Sequence, residues 1–300
     1  LGTLSITNGT VTYDGVNQAV FSDEYYSLTA GGGSGTKTLG GDVTVAGDFT
    51  VDTLVTTAMG GNNLTVTNAT DIDGIITIST GTVDANGTFD ATDGTITFSD
   101  AGNLTLDSTV TSLGTLSTTN GTVTYDGVDQ TVFSDEYYSL TAGGGSGTKT
   151  LGGDVTVSGD FTVDTLVTTA MGGNNLTVTN ATDIDGTLAV AGDTLTLDGA
   201  SDIDGTITIS TGTVDANGVF DATNGTITFS GVGDLTLFSM VTSLGTLSTT
   251  NGTVIYDGVN QTIFSDDYYS LTAGGGSGTK TLGGAVTVAN DLVINAGVTV

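Results

Sequence analysis

The sequence predicts an all-β fold, a right-handed parallel β-helix (β-solenoid) with coils of about 19–20 residues, running as one continuous solenoid over residues 1–300. Three observations predict it. Residues 1–74 recur at 113–186 with four changes (Ile6 to Thr118, Asn17 to Asp129, Ala19 to Thr131, Ala46 to Ser158), and a third copy starts at Leu244. The sequence repeats are therefore 1–112, 113–243 and a partial 244–300. The second repeat is longer than the first by a single block, Thr187–Gly205, after which the pattern resumes in phase. Finally, apolar residues alternate with Thr and Asp throughout, and proline, which would remove a ladder donor from each strand, is absent.

The block decides between a loop and a coil. It carries two strand-like runs, Leu188–Val190 and Thr194–Leu197, and ends in the same Asp-Ile-Asp-Gly that precedes it. One added coil accounts for it. Gly186, Gly205, Gly225 and Gly245 follow one another at near-constant spacing, and Gly74, Gly94 and Gly114 repeat the scheme. Gly153 and Gly284 each lie two such spacings beyond Gly114 and Gly245, which reads as two coils; the shorter interval from Gly153 to Gly186 fits either two short coils or an irregular corner. Stacking these coils in parallel, about 4.8 Å apart, gives one inward column of Leu188, Ile207, Ile227 and Leu247. Val190, Ile209, Phe229 and Thr249 form a second, and Thr187, Thr206, Thr226 and Thr246 face outward. Turns are expected at Asn-Gly and Asp-Gly, where positive φ is cheap. Crossovers between parallel strands favour the right hand. Assigning six coils to the first repeat and seven to the second gives roughly 16 coils in the chain and a rod about 75–80 Å long.

Composition excludes much chemistry. The chain has 48 glycines, 33 acidic residues against three lysines, a net charge of −30, and no cysteine, histidine or tryptophan. Phosphate contacts need clustered basic residues, so no nucleic acid is expected as a partner. An anionic membrane surface is disfavoured on the same ground. No apolar run is long enough for a spanning helix, so no membrane insertion is expected. Thiol, imidazole and Ser-His-Asp chemistry have no residues to use. High charge with abundant Gly, Thr and Ser also suits disorder, but 37% hydrophobic residues in alternation favour strands.

The pattern YDGVxQ…FSD(E/D)YYSLTAGGGSGTKTLGG…VTV occurs at 13–45, 125–157 and 256–288. Together with the coil length it resembles the right-handed β-helix repeats of filamentous-haemagglutinin-type adhesins and very large bacterial surface proteins. The resemblance implies an extracellular or cell-surface protein that extends or presents something, and it carries over no binding residues.

Candidate sites are few. Asp183, Asp185, Asp202 and Asp204 stand in two Asp-Ile-Asp-Gly turns one coil apart, with Asp71 and Asp73 in a third. Crowded carboxylates could take Ca²⁺, the single metal expectation; the bland reading is hydrated turn residues. Asn224 replaces Asp in the next coil, which avoids extending the charge column. A paired-carboxylate glycosidase is not expected, because these aspartates recur with the coil and no arginine is present. The Gly-rich segment at 29–41, 141–153 and 272–284 holds every lysine, Lys37, Lys149 and Lys280, and does not match a phosphate loop. It reads as a flexible turn or corner whose lysine can pair with Asp of a neighbouring coil or filament, or form an isopeptide bond. Phe21, Tyr25 and Tyr26 and their equivalents read as core filling, with one tyrosine of each pair facing out, or else as exposed stacking surfaces. Eleven Asn-x-Ser/Thr sequons and the Thr-x-Thr runs follow from composition, although they also fit glycosylation or an ice-binding ladder.

The expected function is structural and not enzymatic: a segment of an extracellular fibre, filament or adhesin stalk. It would stack or polymerise through open coil ends, head to tail, with further copies of itself or continuing repeats of the same chain. Leu1 begins in repeat phase and Asp291–Val300 stays strand-like, which fits continuation. The alternative is a cell-surface binding module for carbohydrate, Ca²⁺ or a host surface; an S-layer component is a third reading.

Overall fold

A computed structural model describes residue 4 and residues 7–300; the expectations that touch Leu1 and Ile6 lie outside the described residues. Every regular element among them is a β-strand, and every strand pairing is parallel, so the chain forms a β-solenoid of about 14 turns. Chain contacts group it into two units, 1–144 and 145–300.

In the first unit three strands make each coil, and each strand pairs with the strand three further on. One face runs from Thr10–Tyr13 to Val110–Ser112, a second from Gln18–Val20 to Thr115–Leu116, and a third from Glu24–Tyr25 through Thr122–Tyr125 to Ser139–Ala142. Partners stand one coil apart along the chain, as in Thr10↔Ser27 and Phe49↔Thr70. In the second unit the corresponding faces contain Gly147–Leu151 to Thr246–Leu247, Val155–Val157 to Leu292–Ile294, and Phe161–Val163 to Val241–Ser243.

The block Thr187–Gly205 is a coil. Its strands Thr187–Val190, Thr194–Leu197 and Ser201–Ile203 each pair on both sides, as in Leu176↔Leu195↔Val214. Leu188, Ile207 and Ile227 are fully buried in one column, and Val190, Ile209 and Phe229 in the second. Burying each aliphatic side chain contributes about 1.5–3 kcal/mol, and no coil can do this alone. The columns stop one coil early: Leu247 is half-buried and Thr249 exposed. The strand there is only Thr246–Leu247, so Thr249 has already turned away from the ladder.

Two expectations need correction. The copies do not close on whole coils. The strand Thr10–Tyr13 lies on one face of the first unit and its copy Thr122–Tyr125 on another, 17 strands later. The first repeat therefore spans five and two-thirds coils, and its copy begins a third of a turn further round the first unit. That longer coil explains 14 turns in place of 16. It also resolves the Gly153–Gly186 interval, which contains five strands and so is neither two coils nor a single corner. Second, positive φ is found at only three of the Asn-Gly pairs (Gly9, Gly121, Gly252); the Asn-Gly glycines Gly87, Gly218 and Gly225 lack it, as do the Asp-Gly glycines Gly186 and Gly205. These corner glycines answer a different demand: a Cβ on Gly205 would stand 2.0 Å from the Gly186 carbonyl oxygen of the coil below. The recurring glycine thus marks close approach of stacked corners.

Candidate functional site

The polar interior is built first by the lysines. Gly35–Leu39 and its copies are strands, not flexible turns. Alternation along Gly-Thr-Lys-Thr-Leu sends lysine inward, and Lys37, Lys149 and Lys280 are 0–1% exposed. The expectation of a surface lysine pairing with a neighbouring filament fails on that burial. Lys37 Nζ donates to the Gly15 carbonyl at 2.7 Å and more weakly to Ser34 at 3.5 Å; Lys280 Nζ donates to the Gly258 carbonyl. Gln18 stands opposite Lys37, and Gln261 opposite Lys280. The same residue is held through both of its backbone groups, because the Gly15 N–H donates to Gln18 Oε1 at 2.7 Å. The YDGVxQ and GTKT motifs are thus two halves of one internal clamp in adjacent coils. Burial holds the Lys280 ammonium below its ordinary pKa, partly offset by the charge of Asp257.

Each clamp neighbours a tyrosine pair that sequence patterning only half revealed. Tyr25, Tyr137 and Tyr268 are buried, while Tyr26 and Tyr138 are 38% exposed, as alternation requires. The FSD phenylalanine is not core: Phe21 is 56% exposed. The buried partner is instead the tyrosine of the YDG motif that precedes it. The hydroxyls of Tyr125 and Tyr137 lie 3.0 Å apart with their rings edge to face. Tyr137 donates to the Phe133 carbonyl at 2.6 Å, and the Phe133 N–H donates to Tyr125 at 2.9 Å. Tyr13 with Tyr25 and Tyr256 with Tyr268 repeat this. Burial pushes Tyr125 and Tyr256 up to about 12, and Tyr25, Tyr137 and Tyr268 higher still.

The four candidate metal ligands form rungs along an outer edge. Asp183 faces Asp202, and Asp202 faces Asp221, in three consecutive coils; Asp71 faces Asp90. Asp185 and Asp204 flank them. Among the described residues no group of three carboxylates is placed to hold a metal ion. Strand stacking spaces the rungs along the column and does not converge them on a point. Partial burial, then the neighbouring charges of Asp185, Asp202 and Asp204, hold Asp183 above the ordinary carboxylate range. Asp202 is raised by burial and by Asp204, Asp221 and Asp185. Elsewhere the chain relieves such contacts with asparagine: Asn224 Nδ2 donates to Asp204 at 3.0 Å, and Asn217 to Asp198 at 2.7 Å.

A raised folded-state pKa means the folded chain binds more protons than the unfolded one across that window, so stability falls as pH rises through it. Asp202→Asn is therefore expected to stabilise the protein at pH 7 by about 0.2–1 kcal/mol, the cost of like charges directly opposite. The gain should shrink in high salt and disappear on acidification below the carboxylate range. Urea melts at pH 7 and pH 3 check this, and an unchanged or lower midpoint for Asp202→Asn at pH 7 would count against the charged rung.

Coil stacking is interrupted once in each unit, leaving a cleft. Val110–Ser112 does not pair with Gln130–Val132, nor Val241–Ser243 with Gln261–Ile263. The clefts measure about 290 and 390 Å³ and are lined by residues 107–110 with 129–131, and by 238–241 with 260–262. A buried glutamine floors each. Gln261 Nε2 donates to the Leu237 and Ser239 carbonyls at 2.9 and 2.6 Å, and Gln130 does the same to Leu106 and Ser108. Sequence reading missed these clefts, although the changes between copies at 107–109 and 238–240 were visible.

No protein-family model matches the chain, and no curated protein or solved structure matches it either.

Proposed function

We propose that the chain is a structural segment of an extracellular or cell-surface fibre, filament or adhesin stalk, with length set by the number of coils and no catalysis assigned to it. The observation that carries this reading is the block 187–205. A whole coil has been added, paired on both sides, and the strand pattern resumes beyond it. A protein whose task is extension accepts such additions, whereas a site whose parts must keep fixed distances does not.

The partner is a further coil of the same kind, from another copy or from continuing repeats. Leu292, Val293 and Ile294 are 45–58% exposed, whereas Phe49 and Val51, which hold the equivalent inward positions of the first copy, are fully buried beneath Thr70 and Ile72. A stacked coil would bury them in the same way. The acidic outer faces keep neighbouring stacks apart and soluble.

Electron microscopy of native material, with antibody labelling of intact cells, tests the reading. Smooth extended fibres or rods labelled at the surface are expected. Dispersed short particles confined to the cell interior would overturn it.

A further inference from the structure

The two clefts differ in a way that the repeat does not explain. Ser108, Val110, Gln130 and Thr131 of the first recur as Ser239, Val241, Gln261 and Thr262 in the second. Asp107, Thr109 and Asp129 are replaced by Phe238, Met240 and Asn260. Two carboxylates are lost, and an aromatic ring and a thioether are gained, within a chain whose copies are otherwise nearly identical.

The new side chains are presented, not packed away. Phe238 is 39% exposed and Met240 63%. Burying both would be the ordinary outcome for apolar residues gained in a core. The polar members remain: Ser239, Thr262 and exposed Asn260, whose Oδ1 accepts from the Thr279 N–H at 3.0 Å and whose Nδ2 hydrogens are not used by that bond. Gln261 is committed on all sides, to two carbonyls and to the Gly258 N–H, so the floor is rigid.

Charge narrows the ligand. The three lysines are buried in the interior, so nothing basic lines the cleft to receive a phosphate, sulfate or carboxylate. The carboxylates that could attract a cation in the first cleft are absent from the second. What remains is one aromatic face beside neutral amide and hydroxyl groups, in a volume within the roughly 300–1,000 Å³ span of small-molecule sites. We infer that the Phe238–Thr262 cleft binds a neutral saccharide unit. The Phe238 ring packs against the C–H face of a pyranose, and Asn260, Ser239 and Thr262 hydrogen-bond its hydroxyls. The inference does not depend on the stalk reading, since a stalk and a soluble domain could each carry the cleft.

The test uses the whole chain on an array of neutral and acidic oligosaccharides, followed by titration of any bound glycan with saturation-transfer NMR. Saturable binding of neutral glycans is expected, with acidic ones excluded by the −30 charge. The double variant Phe238→Asp, Met240→Thr rebuilds the chemistry of the first cleft and should weaken binding about tenfold or more, with circular dichroism unchanged. The converse variant Asp107→Phe, Thr109→Met, combined with Asp129→Asn, should add a second site and raise the stoichiometry. Absence of neutral-glycan binding by the folded chain, retention of affinity in Phe238→Asp, Met240→Thr, or capture of apolar peptides in place of glycans would each overturn the proposal. None of these outcomes bears on whether fibres are seen by microscopy.

Discussion

Deleting residues 187–205 is expected to disturb the protein less than truncating one side chain inside them. The deletion joins Gly186 to Thr206, the arrangement that the first copy already has at Gly74–Ile75. Strand Thr206–Ile209 then stacks on Val167–Ala170, and the inward columns continue in phase. One coil's enthalpy and entropy leave together, so the unfolding midpoint should move by only about 4 °C or less. Leu195→Ala is different. Leu195 is fully buried between Leu176 and Val214, and the cavity cannot collapse while the coils on either side hold their spacing. The expected cost is about 2–5 kcal/mol, or roughly 4–20 °C in a unit of this size. Thermal melts of the three proteins decide the matter. If the block were a surface loop, the ranking would reverse, with Leu195→Ala silent.

The tyrosine pairs carry the second large effect. Tyr268→Ala should cost about 3–5 kcal/mol through the lost ring. Tyr268→Phe should cost about 1–3 kcal/mol, because the Phe264 carbonyl and the Tyr256 hydroxyl lose their shared partner. The same groups set the alkaline limit. Their folded-state pKa values lie above the ordinary 10, so the stability they contribute is fully present below pH 10. It is lost as pH rises from there through about 12 and beyond. Absorbance at 295 nm should therefore show the buried tyrosines ionising late and together with unfolding, while Tyr268→Phe unfolds at a lower pH than the parent even though one raised group is gone. Lys280 runs the other way: with its pKa held below 10.5, its penalty is present at neutral pH and relieved as pH rises toward that value. A smooth ionisation centred near pH 10 with circular dichroism intact would show that the pairs are not buried as described.

Much of this architecture was legible before any coordinates. The difference between the two repeat offsets implied an added coil, and the alternation in Thr187–Val190 and Thr206–Ile209 identified their inward residues, because side-chain direction along a strand has period two and is a local property. Asn224 could likewise be read as a relief of charge, although its hydrogen bond to Asp204 could not.

Other features needed the stacked chain. Whether a copy closes on whole coils depends on the summed lengths of every turn, and small differences in length at several corners are enough to carry Thr122–Tyr125 a third of a turn from the face of Thr10–Tyr13. The inward lysine was hidden because a buried ammonium is disfavoured by itself; the Gly15 carbonyl, supplied by the coil below at 2.7 Å, is its main partner there, with the Ser34 carbonyl a weaker one. The two clefts have the same origin: they arise where groups distant in sequence meet across stacked coils, and that meeting is fixed by coil length and pairing, which local patterning does not encode. The tyrosine pairs form within one coil, between strands 12 residues apart, and needed the closing of that coil to bring their hydroxyls together.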